Sequence, residues 1–363
     1  IFALWRCYSR PPRMATVETN ADVALYEQPS YETCIAGRTV QVNTALATRP
    51  EYSFLFRKLS PSEEQWCHSK IPFWFGAQWF TILGKWLGLY NAPVMCGLFS
   101  LAWFQWLHFY HDAMHMRKAL PWAHAMCLGF VGFTTLQNAY RDASWTHALR
   151  HHVDVKAGLE HNDEWDAAWS AVPLWRAPFS MALYPSQFGF FDVIRMWWEG
   201  PRAHWPERIA TNLVYWLQCF LAHKMGVLKE ITVTSHACSV IGWFLFHACT
   251  HRESFYALML RDPSGKRYIP VIDEAMHLII GPARWLECKW HDVHHAFASS
   301  MMALSMRASL EPVPKMVEAM ADMVDEGLFF DPKSGTAVDH LLDAGGVLGR
   351  RAAWKAAQCK RGS

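Results

Sequence analysis

IPFWFGAQWFTILGKWLGLYNAPVMCGLFSLAWFQWLHFY, residues 71–110, is an almost unbroken apolar run punctuated at Asn91 and Pro93. A helix rises about 1.5 Å per residue, so about 20 mostly apolar residues cover a hydrocarbon layer of about 30 Å. The run therefore divides into two candidate spans, 71–90 and 92–110, whose short joint predicts a tight antiparallel hairpin. Lys85 lies near the end of the first span, where its charge can reach the headgroups while its methylenes stay among apolar neighbours.

A second pair follows the same plan. IATNLVYWLQCFLAHKMGVL (209–228) and ITVTSHACSVIGWFLFHACT (231–250) meet at a turn carrying Lys229 and Glu230, although His223 and Lys224 break the first of them. Two hairpins put the amino terminus, the middle region and the carboxyl terminus on one side of the membrane. That side holds Arg117, Lys118, Arg141, Arg150 and Lys156 and the charged tail, whereas the joints are nearly bare of charge. The asymmetry marks the large side as cytosolic. Between the hairpins, the apolar but irregularly punctuated stretches 122–140 and 167–198 are expected to be helices lying at the interface. The expected fold is thus an all-α integral membrane protein, with four transmembrane helices in two hairpins and a cytosolic helical cap.

Three regions follow from this reading. Residues 1–64 are expected to be a mobile amino-terminal arm, since 14–50 are polar and unpatterned; residues 1–13, ahead of the first methionine, are set aside as either a targeting segment or a reading-frame remnant. Residues 65–310 form the membrane domain. Residues 311–363 form a soluble carboxy-terminal helical tail, in which Met316, Val317, Met320 and Val324 recur at helical spacing against an acidic face.

Composition narrows the function. The 363 residues are 52% hydrophobic and 18% charged, apolar for a soluble chain of this size. A net charge of +2 with scattered basic residues gives no phosphate-tracking surface, so no nucleic-acid partner is expected. The ten cysteines stand apart without a CxxC pair, which argues against a secreted disulfide scaffold and a cysteine-type zinc module.

The histidines are the informative residues. HDAMH gives His111 and His115, HALRHH gives His147, His151 and His152, and HDVHH gives His291, His294 and His295. Positions i and i+4, or i, i+3 and i+4, project from one helix face, so each group can aim two or three imidazoles at one point. All three groups fall on the same expected side of the membrane. Eight imidazoles exceed the four to six ligands of one metal ion, so two metals are expected. Imidazole suits zinc, copper, nickel and iron alike. An aromatic-rich membrane core suits lipid-like substrates, whose inert C–H bonds call for a redox metal and dioxygen rather than zinc.

With HALRHH beginning 32 residues after His115 and HDVHH beginning 139 residues after His152, the pattern resembles the membrane fatty acid desaturase superfamily over roughly residues 65–310. HDAMH also resembles the first group of carotenoid ketolases in the same superfamily, although HHAFASS lacks the proline that often follows the third group. The resemblance implies two iron ions, dioxygen as co-substrate, and one further histidine near the cytosolic end of the fourth span. In HACTH that histidine is His251, with His247 acting through water or beside the ligands. His108 shares the face of His111 and His115 in a supporting role. Asp112, Asp154, Asp163 and Asp292 are candidate acceptors for the second N–H of metal-bound imidazoles.

The expected activity is a fatty acyl desaturase that removes two adjacent hydrogens from a lipid chain. A carotenoid ketolase or hydroxylase on the same scaffold is the nearest rival, and a membrane metal transporter or sensor is the rival from another class. The transporter reading calls for metal-binding groups at the bilayer midplane, where only His223 and His236 come close. No His-Pro-Gly-Gly signature, GxGxxG fingerprint or iron–sulfur cysteine set occurs. Electrons are therefore expected from a separate cytochrome b5 or ferredoxin. The endoplasmic reticulum is the default location, with plastid and bacterial membranes left open.

Overall fold

The structure, a computed structural model, describes residues 31–35, 38–56, 59–114, 120–130, 137, 139–144, 197–198, 200–243, 270–281, 285, 311–330 and 333. These residues are mostly helical. In chain order they form strands β1 (Tyr31–Ile35) and β2 (Arg38–Val42), helices α1 (Ser53–Phe56), α2 (Pro61–Trp86), α3 (Ala92–Met114), α4 (Trp122–Ala125), α5 (Tyr140–Ser144), α6 (Trp205–Lys224), α7 (Leu228–Trp243), α8 (Pro270–Ile280) and α9 (Val313–Asp325), and strand β3 (Phe329–Phe330).

Both expected hairpins have a helix on each side of a glycine turn. Helix α2 starts ten residues ahead of its apolar run, because SPSE makes a capping box: Ser60 Oγ accepts from Glu63 N at 3.3 Å, and Ser60 N donates to Glu63 Oε2 at 2.7 Å. It ends at Gly88, whose φ of 75° lets Gly88 N reach Lys85 O at 3.0 Å and Leu89 N reach Gly84 O at 2.9 Å. Asn91 Oδ1 then accepts from Val94 N at 3.1 Å and opens α3. The second hairpin repeats the device, with Gly226 at φ 70°, Gly226 N on His223 O at 2.9 Å and Val227 N on Ala222 O at 3.0 Å. Among the described helices α3 is the central one and packs against α2, α5, α7 and α8.

Among the described residues, no helix is long and apolar enough to cross a membrane. Length is not what α2 and α3 lack, with 26 and 23 residues, whereas the described part of α7 has 16. Their average hydropathy is lowered by Gln78, Gln105 and His108, and that of α6 by Asn212, Gln218 and His223.

The helical content fits the all-α expectation, to which β1, β2 and β3 add one small antiparallel sheet in that order. Tyr31 pairs with Val42, Ile35 with Arg38, and Val42 with Phe329. YETCI and RTVQV are rich in β-branched and aromatic residues, which favour a pleated surface, but each is too short and polar for its pattern to stand out. The sheet ties residues expected to be an arm to the tail. Asn43 N donates to Leu328 O at 2.8 Å, Tyr52 Oη donates to Glu326 Oε1 at 2.7 Å, and Arg49 pairs with the same carboxylate. Beneath them Val42, Leu46 and Leu55 share a core with Met316, Met320 and Met323 of α9.

Over 122–140, expected to be helical, Trp122–Ala125 and the chain from Tyr140 are helical and 127–130 is irregular, whereas 131–136 and 138 lie outside the described residues. That irregular backbone is buried, and three carbonyls find side-chain donors: Trp106 Nε1 on Cys127 O at 2.8 Å, Gln218 Nε2 on Leu128 O at 3.0 Å and Trp103 Nε1 on Phe130 O at 2.7 Å. Apolar periodicity does not reveal this, because the bonds come from α3 and α6. The stretch 167–198 lies outside the described residues except for its last two positions.

Candidate metal centre

Of the proposed ligands, His111 lies among the described residues. His115, His147, His151, His152, His247, His251, His291, His294 and His295 lie outside them, as do Asp154, Asp163 and Asp292. Among the described residues no three His, Cys, Asp or Glu side chains gather as a metal site.

His111 sits in the last turn of α3, where a helix C-terminus favours positive charge, and the residue is 4% exposed. One turn earlier His108 is buried as well. Above it comes an aromatic stack: Trp106 lies 4.9 Å from Tyr110 in near-parallel contact, and Tyr110 meets the Tyr140 ring edge-on at 5.6 Å. A buried imidazole at the end of α3 is chemically of the kind that ligates a metal.

Two further chain segments are held against this end of α3. The first is α5, which precedes HALRHH. Tyr140 Oη donates to Ala113 O, two residues beyond His111. Burial, then the nearby charge of Glu207, pushes the Tyr140 phenol well above its ordinary range, so it remains a donor. The second is α8, which precedes HDVHH. Gln105 Nε2 reaches Leu278 O at 3.4 Å, and Gly281 lies against His108 so closely that a Cβ there would be 2.8 Å from Nδ1. Trp285 Nε1 donates to the buried carboxylate of Asp273, holding the chain six residues before His291.

Several residues at this end escape a sequence reading. Asp142 and Arg208, both fully buried, form a two-bonded pair, with Arg208 Nε on Oδ2 at 2.6 Å and Nη2 on Oδ1 at 2.8 Å. His204, which has no partner by spacing, places Nδ1 2.8 Å from Asp142 Oδ1. Beside them Arg141 pairs with Glu207 at 3.1 Å. One turn along α6, Asn212 grips Gln137 by its backbone, accepting from N at 2.8 Å and donating to O at 2.9 Å. His68 and His124, also unpartnered by spacing, bring their rings to 6.5 Å, edge to face. Spacing could not find these contacts, since each joins positions more than fifty residues apart. The one hint is that Glu207 and Arg208 open an apolar helix where charge is otherwise scarce. No protein-family model, no curated protein and no solved structure matches this chain.

Proposed function

We propose that this chain is a membrane-bound, iron- and dioxygen-dependent lipid oxidoreductase, and specifically a fatty acyl desaturase. The observation that carries the proposal is the three histidine groups, supported by the packing of the segments that precede the second and third of them against the His111 end of α3.

The membrane part of the proposal draws support from the faces of the helices. Helix α6 buries Arg208, Thr211, Asn212 and Gln218, and exposes Ile209, Leu213, Trp216, Leu217, Phe220 and Leu221. In water this arrangement is upside down. An exposed apolar surface of this extent calls for an apolar surrounding, and in lipid the polar residues turn inward to bond one another. Phe73, Phe80, Leu83 and Trp86 of α2, Leu98 and Leu101 of α3, and Val233 and Ile241 of α7 extend the exposed apolar surface. Average hydropathy along these helices falls short of a membrane span, but averaging merges the lipid-facing side with the bonded interior. The distribution around the axis is the more telling property.

Two iron ions, when bound, supply the one-electron chemistry with dioxygen that an unactivated C–H bond requires. His111, His115, His147, His151, His152, His251, His291, His294 and His295 would hold them, with His247 in support through water. The chain's own part is to hold those segments at one end of α3, keep water out with Trp106, Tyr110 and Tyr140, and fix which carbon of the lipid is presented. Electrons come from cytochrome b5 or ferredoxin, and the endoplasmic reticulum is the proposed location. The experiment is expression in hosts supplied with acyl lipid or β-carotene, with mass analysis of products and iron counting on purified protein. A lipid product two hydrogens lighter supports desaturation, an oxygenated carotenoid transfers the activity to ketolation or hydroxylation, and protein without iron refutes the proposal.

A further inference from the structure

We infer that the exposed apolar surface of α2 and α6 is a short lipid-facing belt with two level borders, matched to a bilayer thinner than the ordinary one. The inference rests on the membrane reading above and adds the thickness of the bilayer to it.

Helices α2 and α6 run in the same direction. Helix α3 returns along α2 after the Gly88 turn, α5 is bonded to the end of α3 through Tyr140 and Ala113, and the start of α6 is bonded to α5 through Arg208 and Asp142. The first turns of α2 and α6 therefore lie at the same end of the bundle. Their relative height is set by a cross-bond, Trp79 Nε1 donating to Gln218 Oε1 at 3.3 Å. Counted from that bond, the two helices agree: Trp66 and Trp205 each stand 13 residues before it, and Lys85 and Lys224 each stand 6 residues after it. Both tryptophans are exposed, at 40% and 46%. Each border also pairs a lysine with a ring, Lys70 Nζ lying 4.0 Å over Trp66 and Lys224 Nζ 5.5 Å over Phe220. Between the borders Phe73, Phe80 and Leu83 of α2 and Leu213, Leu217 and Phe220 of α6 are exposed.

Equal heights on two separate helices are what a layer of uniform thickness demands. A second copy of the chain could cover the same apolar side chains, but it would not require tryptophan and lysine to stop at matching levels. Those residues complement a bilayer at those levels, since ammonium groups reach outward to lipid phosphates and indole rings settle among the headgroups. The height of the belt follows from a rise of about 1.5 Å per residue. Trp66 to Lys85 and Trp205 to Lys224 each span about 28 Å, and the stretches free of Asp, Glu, Lys and Arg, between Lys70 and Lys85 and between Arg208 and Lys224, span about 22–24 Å. An ordinary hydrocarbon layer is about 30 Å thick and that of the endoplasmic reticulum about 27 Å. The belt falls short of the first, and outward-reaching lysines bring it to the second.

The test reconstitutes the full-length chain into phosphatidylcholine vesicles with dimyristoleoyl, dipalmitoleoyl, dioleoyl or dierucoyl chains, and reads vesicle flotation and the thermal midpoint in each. The wild type is expected to be most stable with dipalmitoleoyl chains and to lose its fold severalfold faster on heating in dierucoyl vesicles, where the mismatch is greatest. Lys85→Leu combined with Lys224→Leu removes one border from both helices. That variant is expected to keep the wild-type midpoint in detergent while its optimum moves to dioleoyl chains. An optimum with dierucoyl chains, or a double variant whose optimum stays put, overturns the belt. A midpoint independent of chain length overturns it as well and gives the apolar face to a second copy. Wild-type chain that floats with none of the vesicles overturns the membrane reading and the belt with it, so flotation tells the two failures apart.

Discussion

Replacing Leu213 by Asp separates a lipid-facing α6 from a water-facing one by orders of magnitude. Leu213 is 66% exposed, near the middle of Trp205–Lys224, on the same face as Leu217 and Phe220. On a water-facing helix such a surface substitution changes stability by no more than about 0.5 kcal/mol, a factor of about two. At the centre of a membrane helix, Leu contributes about −0.5 kcal/mol to insertion and Asp costs about 3 kcal/mol, so the exchange is worth about 3.5 kcal/mol, or a factor of several hundred. The assay places a loop with a glycosylation acceptor between Val227 and Leu228 and counts the glycosylated fraction after translation with microsomes, alongside the thermal midpoint of the purified protein. The expected result is loss of glycosylation and of the membrane-bound fraction in Leu213→Asp, and a wild-type result for the milder Leu213→Ile. If Leu213→Asp inserts and melts like wild type, the inside-out reading of α6 is wrong and the apolar face needs another occupant.

The remaining predictions concern buried positions and one titration. Gln78 is 1% exposed and neither amide atom is bonded among the described residues, so Gln78→Leu is expected to raise stability by about 1–3 kcal/mol, seen as a higher thermal midpoint in detergent; a lower midpoint would count against the packing described. Gly281→Ala forces a Cβ to 2.8 Å from His108 Nδ1 at a φ of 90°, and about 1–3 kcal/mol of destabilisation is expected, measured by chemical denaturation. Tyr52 is pushed up to about 12 by burial first, then by its bond to Glu326 and that carboxylate's charge. A raised folded-state value means its stabilising effect is complete below about pH 10, the ordinary phenol range, and is lost as pH rises through 12. The attachment of residues 38–56 to α9 should therefore loosen over that window, and Tyr52→Phe should remove the dependence when proteolysis of that region is followed against pH.

The long helices are legible because apolar runs end at glycine and resume at Asn91 or after Val227, and a helix C-terminus needs the backbone that Gly88 and Gly226 provide. The start of α2 is legible too, in SPSE, although a search for apolar runs passes over it. The helix at Val313–Asp325 stands where Met316 and Met320 recur at helical spacing, and both are buried. The strands are not legible, because their partners β2 and β3 lie almost three hundred residues apart and the pairing is what gives a two-residue strand its meaning. His111 is legible as one member of a pattern. Asp142 and Arg208 are not, since an isolated acid and an isolated base 66 residues apart in sequence look like solvated charges until the fold buries them together.

In the membrane setting proposed above, that contrast follows from what an apolar surrounding does to the balance of forces. When both the interior and the exterior of a helix bundle are apolar, burying a leucine gains little, and packing with directional bonds decides which face turns inward. An unbonded backbone carbonyl in such a setting costs several kcal/mol, so Trp103, Trp106 and Gln218, which cap Phe130, Cys127 and Leu128, fix the irregular 127–130 stretch more firmly than its own apolar side chains do. Asn212 on Gln137 and Arg208 on Asp142 act in the same way from the first two turns of α6. The polar residues that lower the average hydropathy of α3 and α6 are thus the ones that hold the connecting segments in place. Their inward position braces the two hairpins against the segments that join them.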